Sequence, residues 1–292
     1  MPELPEVETI VNDLKKKVLH RTFIALWTDT AKIIKKTSFS QFQKNILGKK
    51  IIGIKRRAKN ILISLSDNYI LLIHLKMTGH LLVGKWQRKE KKWVSKIKGA
   101  MSNDPGNRFL RLIFSLDDGQ QLALSDIRKF AKVELWKESE LLKSKEFMAL
   151  GPEPLDPSFT FSKFKQLFFK KKGKIKPVLM DSKFIAGIGN IYASEILLEA
   201  MLHPESRVEN LKEKDLKCIY KAIKKVLKKG IKARGSSISD YRDLQGQKGG
   251  FQKIAKIYGK KGQKCPYCNT KIERIVVGQR GTFYCPVCQT KK

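Results

Sequence analysis

Two pairs of cysteines near the C-terminus carry the clearest chemistry in the chain. Cys265-Pro266-Tyr267-Cys268 is followed, after 16 residues, by Cys285-Pro286-Val287-Cys288. A two-residue gap lets both thiolates of a tight turn face one metal, and two such knuckles complete a tetrahedron, the spacing of a four-cysteine zinc site. The spacing therefore predicts one structural Zn2+. With four cysteine ligands its shell is closed, so it holds shape and performs no reaction. The competing reading, a pair of disulfides, belongs to an oxidising compartment that nothing in the chain indicates.

At the other end, Pro2 and Glu3 open the chain, with Glu6 three residues on. Removal of Met1, usual before a small residue, leaves Pro2 with a free secondary amine. An α-amino group has a reference pKa of about 7.7–8.0 against about 10.4 for lysine, so more of it is neutral and nucleophilic at pH 7. Such amines attack sugar C1′ or aldehydes to give Schiff bases, and an adjacent carboxyl can protonate a ring oxygen. The bland alternative is a helix N-terminus, whose macrodipole favours acidic residues. Lys59, in Arg56-Arg57-Ala58-Lys59, precedes an apolar run and reads on its own as a solvated cation. Gly187-Ile188-Gly189-Asn190 places two glycines before a helix start, where backbone N–H groups form an anion nest. This is no dinucleotide fingerprint, because Tyr192 stands where a third glycine belongs and no strand precedes it.

These residues need elements to hold them. Val7, Ile10, Val11, Leu14 and Val18 recur at helical spacing, so residues 5–19 predict an amphipathic helix. Strand-like runs follow at 51–54, 61–65, 70–75, 109–116 and 121–125, the last two flanking an Asp117-Asp118-Gly119 hairpin turn. Short strands with turn signals imply a β-sandwich or barrel in the first half. Residues 84–104, with seven Lys/Arg and two acidic residues, read as a solvated loop. After Gly151-Pro152-Glu153-Pro154 the pattern turns helical, with candidates at 161–169, 180–183, 191–200 and 212–229. Cys218 in the last of these reads as a buried small hydrophobe. Residues 235–250 are polar and Gly-rich, a loop long enough to suspect function. The zinc unit closes the chain.

The 292 residues carry 61 Lys+Arg against 27 Asp+Glu, a formal net charge of +34. Such a field attracts polyanions, nucleic acid first and anionic membrane second. A hydrophobic fraction of 41% excludes a disordered basic tail. No apolar run approaches the roughly 20 residues of a membrane span, and the acidic, Pro-rich start is the opposite of a signal peptide, so a cytoplasmic protein without membrane partners is expected.

Pro2-Glu3-Leu4-Pro5-Glu6-Val7-Glu8-Thr9 resembles the N-terminal signature of bacterial formamidopyrimidine-DNA glycosylases, also called 8-oxoguanine-DNA glycosylases. The resemblance continues through Arg56 to Lys59, His74-Leu75-Lys76-Met77-Thr78-Gly79, Asp126-Ile127-Arg128-Lys129-Phe130 and Leu150-Gly151-Pro152-Glu153-Pro154-Leu155. It extends over residues 186–195, Tyr258-Gly259 and Gln279-Arg280-Gly281-Thr282-Phe283-Tyr284-Cys285. The related endonuclease VIII branch, which excises oxidised pyrimidines, typically begins Pro-Glu-Gly-Pro-Glu, so Leu4 favours the formamidopyrimidine branch.

The resemblance implies an α+β multidomain fold: an N-terminal helix with β-sandwich (1–135), a central helix-two-turns-helix domain (151–240) and a C-terminal zinc-finger β-hairpin (256–292). It implies a monomeric, bifunctional repair enzyme acting on double-stranded DNA that contains oxidised bases or abasic sites. Pro2 attacks C1′ of the damaged nucleotide, Glu3 is general acid at the deoxyribose ring with Glu6 in support, and Lys59 contacts phosphate and assists β-elimination. Asn190 and Arg280 grip phosphates. The family makes Arg280 a proton donor in δ-elimination, although a guanidinium stays protonated and suits a phosphate clamp better. Met77, Arg128 and Phe130 match the wedge that fills the space of the everted base, with Arg128 pairing the orphaned cytosine. Core packing is the alternative for Met77 and Phe130. Lys171 matches a DNA-contact position, and residues 235–250 match the segment that closes over the base.

The chain departs from the family at Ile127, Lys129 and Ala131, where Pro, Arg and Gly are common, and at Phe109, where a histidine is common. The 84–104 stretch is longer and more basic than usual. A non-catalytic zinc-dependent DNA-binding protein is the competing class, and it needs none of Pro2, Glu3 and Lys59.

Overall fold

The computed structural model describes residues 1–90, 92–97, 102, 104–238 and 241–292; of Lys92 only the backbone is described. Residues 91, 98–101 and 103 of the basic stretch and 239–240 of the Gly-rich segment lie outside the described residues. The chain divides into two compact units, Met1–Met148 with Ala233–Gly250, and Ala149–Lys232 with Phe251–Lys292. Among the described residues no helix is long and apolar enough to cross a membrane.

The first unit opens on α1 (Leu4–Lys17), whose Val7, Ile10, Val11 and Leu14 bury one face at 3–4 residue spacing. β1 (Phe23–Thr28), α2 (Phe39–Ile46), β2 (Ile51–Arg57), β3 (Asn60–Leu65), β4 (Tyr69–His74) and β5 (Gly79–Gly84) follow. Then come β6 (Trp86–Lys89), β7 (Lys92–Ser95), β8 (Leu110–Leu116), β9 (Gln121–Asp126) and β10 (Lys132–Lys137), with short helices α3 (Glu138–Lys143) and α4 (Lys145–Met148) at the end. Two four-stranded antiparallel sheets form, in the orders β1-β8-β9-β5 and β10-β4-β3-β2. Phe23, Leu112 and Phe114 of one and Ile61, Ile63, Leu71 and Ile73 of the other share a core with α1. Alternation sends Leu62, Ile70 and Leu72 to the opposite face, where Leu141 of α3 covers them. The sandwich with its leading helix is the expected one.

The 84–104 stretch is not simply a solvated loop. β6 and β7 pair as an antiparallel hairpin, because Trp86 packs with Leu82, Leu110, Ile113 and Ala123 while Trp93 meets Trp27 edge-on, ring centroids 5.0 Å apart. Apolar anchoring of two tryptophans outweighs the lysines around them.

The second unit contains α5 (Phe161–Leu167), α6 (Ile175–Met180), α7 (Asn190–Glu199), α8 (Glu213–Lys232), the short α9 (Phe251–Ile254) and the hairpin β11 (Glu273–Val277) with β12 (Arg280–Tyr284). The helix expected at 180–183 ends rather than begins there. Pro177 falls in the first turn of α6, where its missing N–H costs nothing, and residues 182–184 form a turn. Cys218 is exposed rather than buried. The buried stripe of α8 runs through Leu216, Ile219, Ala222, Ile223, Val226 and Leu227, and position 218 falls off it.

Candidate functional site

In the first unit, α1 delivers the N-terminus. Met1 is exposed, while Pro2 and Glu3 are buried immediately behind it. Glu3 is the N-cap of α1 and forms a capping box with Glu6, so the bland role of the acidic pair is present too. The Glu6 carboxylate is buried and divided between two backbones. Its Oε2 accepts the Glu3 N–H at 2.7 Å and its Oε1 accepts the Ser236 N–H at 2.7 Å. Gly235 is required at this approach, because its φ is +80° and a Cβ would meet Glu6 Cγ and Oε1 at 2.8 Å. Burial, with the charges of Glu6 and Asp243, pushes the nearby Tyr241 phenol well above its ordinary pKa, so it stays neutral.

Lys59 sits in the two-residue turn between β2 and β3, following Ala58 at φ +54°. Arg56 ties that turn to α1: its Nε donates to Glu8 Oε2 at 2.6 Å and its Nη1 to the Ala58 carbonyl at 3.0 Å. The helix that carries Pro2 and Glu3 thus anchors the turn that carries Lys59. His74, opposite Asn60 on β4, was not singled out in the sequence. Burial, then the charges of Lys76, Lys59 and Lys132, lowers its pKa to about 3. Its neutral Nδ1 accepts the Lys76 N–H at 3.0 Å.

Met77 lies in the β4–β5 turn, and Arg128 and Phe130 lie in the β9–β10 connection. All three are exposed, Met77 by 41% and Phe130 by 52%, which removes the core-packing alternative. The structure brings them together: β5 pairs β9 with Gly79 opposite Asp126, and the Arg128 guanidinium lies 4.6 Å from the Phe130 ring centroid. One buried carboxylate organises both turns. Asp126 Oδ1 accepts the Thr78 hydroxyl and the Arg128 N–H (3.1 Å), and its Oδ2 accepts the Ala131 N–H at 2.7 Å.

In the second unit, Asn190 begins α7 directly after the N-cap Gly189. Its Oδ1 accepts from Lys176 Nζ at 2.7 Å, and its Nδ2 donates to the Gly281 carbonyl (3.1 Å) and to Tyr258 Oη (3.2 Å). Lys176 is fully buried and donates also to Thr282 Oγ1 at 2.6 Å. Arg280 is exposed at the tip of the β11–β12 hairpin, beside Gly281, so Asn190 and Arg280 are brought together. Lys171 is half-buried, 3.4 Å from Asp181 Oδ2, and is not joined to that network among the described contacts. Glu195, on the same buried helix, accepts the N–H groups of Lys256, Ile257 and Tyr258 at 2.9–3.1 Å, fixing the segment that leads into the hairpin.

The four cysteine Sγ atoms of Cys265, Cys268, Cys285 and Cys288 lie within 4.8 Å of one another. Cys265 and Cys288 are 3.9 Å apart and Cys268 and Cys285 3.4 Å. Zn–S bonds of about 2.3 Å place tetrahedral sulfurs about 3.8 Å apart, so the donor set fits one zinc. The four residues would hold it, and the ion would supply rigidity rather than reactivity. Asp126, Glu195, Lys176 and the Arg56–Glu8 pair escaped the sequence reading. Asp126, Glu195, Glu8 and Arg56 fall within the motifs quoted above and Lys176 does not, but only contacts across the fold assign any of them a task.

A sandwich headed by an acid-capped helix, together with a buried helix tied to a hairpin whose four cysteines fit one zinc, defines a two-unit architecture with a structural-metal site. Three family models cover the chain: formamidopyrimidine-DNA glycosylase N-terminal domain over residues 1–133, the H2TH domain of the same enzymes over 150–242, and the zinc finger found in FPG and IleRS over 262–291. A formamidopyrimidine-DNA glycosylase of Carboxydothermus hydrogenoformans is 40% identical over 99% of this chain and 100% of its own. Two Lactococcus lactis Fpg structures, one of a mutant with Fapy-dG containing DNA and one with abasic-site DNA, superpose with a TM-score of 0.87. Each is 34% identical, covering 99% of this chain and 100% of theirs. The chain belongs to the formamidopyrimidine-DNA glycosylase family.

Proposed function

We propose that this chain excises oxidised purines, 8-oxoguanine and formamidopyrimidines, from duplex DNA and then nicks the strand by β,δ-elimination. The observation that carries the reading is the convergence on α1: Pro2 and Glu3 are buried at its head, Glu6 fixes the Glu3 backbone, and Glu8 anchors the turn of Lys59. Pure DNA binding needs none of these.

Once Met1 is removed, the Pro2 nitrogen attacks C1′, the C1′–N bond breaks, and the base leaves with a proton. Glu3 protonates the ring oxygen as the C1′–O bond opens, leaving an iminium between Pro2 and C1′. The iminium acidifies the neighbouring C2′–H, so loss of that proton expels the 3′ phosphate and a second elimination expels the 5′ phosphate. Lys59 assists proton transfer and contacts phosphate. Met77 and Phe130 fill the space left by the everted base, with Arg128 facing the orphaned cytosine. Asn190, Lys171 and Arg280 hold phosphates, and Arg280 acts there as a fixed charge. One zinc on Cys265, Cys268, Cys285 and Cys288 keeps the Arg280 hairpin folded. The work divides over parts 1–135, 151–240 and 256–292 of a monomer in the cytoplasm, on the nucleoid when bound.

Borohydride should trap a covalent complex between the protein and an 8-oxoguanine duplex, and Pro2→Ala should abolish it. Trapping that survives Pro2→Ala would overturn the nucleophile. Preferential cleavage of a thymine glycol duplex over 8-oxoguanine would move the substrate to oxidised pyrimidines.

A further inference from the structure

Two ion pairs meet at one guanidinium outside the groups used above. Arg234 Nη2 lies 2.7 Å from Asp243 Oδ2 and also pairs with Asp13 Oδ2 on α1. Asp243 is buried, its side chain 5% exposed, and its other oxygen accepts the N–H groups of Gln245 (3.0 Å) and Gln247 (2.9 Å). It therefore closes the turn at 243–247 and needs a cation for its remaining oxygen. The Leu244 carbonyl of that turn accepts the Val83 N–H of β5 at 3.0 Å, and its side chain joins the core.

Arg234 also occupies an unusual backbone state. Its φ is +57° and that of Gly235 is +80°. The left-handed region is unfavourable for an L side chain and free for glycine, so the side chain here is held against a backbone cost by its two carboxylates. Two residues further on, the Ser236 N–H meets Glu6 Oε1, and Glu6 Oε2 holds the Glu3 N–H. Contacts thus run without a break from Asp243 and Asp13 through Arg234 to Ser236, Glu6 and Glu3.

We infer that Arg234 is a positioning residue for the amine chemistry at the N-terminus: it keeps the Ser236 amide seated on Glu6, and Glu6 thereby keeps Glu3 and Pro2 in place. The inference rests on the excision reading above. Other contacts retain part of the seating without it, since Gly250 N–H donates to the Ala233 carbonyl at 2.7 Å and Gly249 N–H to Ser237 Oγ at 2.9 Å. The loss is therefore partial, and Arg234 is itself half-exposed, so about fivefold is the scale set by ion pairs of this kind.

Arg234→Gly is the informative variant, because glycine takes the same φ without strain while the whole side chain, with both ion pairs, is lost; Arg234→Lys controls for the backbone freedom that glycine adds. Single-turnover excision of 8-oxoguanine should slow about fivefold or more, affinity for a duplex carrying a stable abasic analogue should stay within about twofold, and deuterium exchange in peptides spanning Ser236 should quicken. Arg234→Lys, which keeps the charge but lacks the fork that reaches two carboxylates, should recover part of both readouts. Unchanged exchange in Arg234→Gly, or faster exchange with wild-type excision, would overturn the inference. Wild-type protein inert on every oxidised duplex would instead overturn the excision reading, while the exchange comparison would still test whether Arg234 seats the segment.

Discussion

Asp126→Asn is the substitution whose consequences the structure specifies most fully. Asp126 is fully buried, and its two oxygens receive three donors: the Thr78 hydroxyl and the Arg128 N–H on one, the Ala131 N–H on the other. Asparagine has a single oxygen. Turned toward Thr78 and Arg128, it points an NH2 group at the Ala131 N–H, donor against donor; turned the other way, it points that group at the Arg128 N–H, which keeps only its 3.2 Å contact with Thr78 Oγ1. Hydrogen bonds to a charged group contribute about 1.5–3 kcal/mol each, and a buried donor left unsatisfied costs about 1–3 kcal/mol. A net penalty of about 2–3 kcal/mol follows, concentrated in the two turns that carry Met77, Arg128 and Phe130. If about 2 kcal/mol of it appears in binding, affinity for a duplex with a stable abasic analogue falls roughly thirtyfold. Fluorescence anisotropy on labelled duplex measures this directly, with cytosine and adenine opposite the lesion. A double-mutant cycle with Met77→Ala should show coupling of at least about 0.5 kcal/mol, because Thr78 joins the two turns through Asp126. Wild-type affinity and opposite-base preference in Asp126→Asn, with additive behaviour in the cycle, would refute the proposal that one carboxylate positions Met77, Arg128 and Phe130 for DNA.

Three further outcomes are expected. Glu6→Gln replaces one of two accepting oxygens with a donor facing a backbone N–H, so it should slow excision at least tenfold, about 1.4 kcal/mol, while abasic-duplex affinity measured by anisotropy changes little. Chelation of zinc, or Cys265→Ala, should unfold the β11–β12 hairpin and abolish DNA binding in a gel-shift assay, while near-ultraviolet dichroism of the sandwich persists. For pH, the folded pKa of His74 is depressed from 6.5 to about 3; the native state therefore resists protonation, stability is intact above pH 6.5, and it declines as pH falls from 6.5 toward 3. At pH 5.5 the single-site loss is about 1.4 kcal/mol, above the range where carboxylates titrate, and urea titrations of His74→Gln should lack that component.

Features set by local sequence were legible. The zinc knuckles were, because both ligands of each pair lie within one turn, and β2, β3, β4, β8 and β9 were, because each is an apolar run of strand length. β5 was missed despite complete burial, since Gly79 and His80 weaken its opening. β6 and β7 were hidden by lysines although Trp86 and Trp93 anchor them. The site was legible as residue types but not as an arrangement. Arg56 reaches Glu8 across 48 positions and Lys176 reaches Thr282 across 106, and no periodicity encodes such pairings. The exposure of Cys218 turned on its phase along α8, which the apolar neighbours Leu216 and Ile219 define only once the buried face is known.

The first unit is not contiguous in sequence. Leu244 caps the edge of β5 and, with Tyr241, fills part of the core, yet both follow the whole of Ala149–Lys232 in order of synthesis. On the ribosome the sandwich must therefore wait, on the order of ten seconds at ordinary elongation rates, with an open strand edge and an incomplete core. An uncapped edge is a template for pairing with other chains. The closing segment thus serves biogenesis as well as the finished molecule, and a fragment ending at Met148 should emerge as an aggregation-prone intermediate rather than a stable domain.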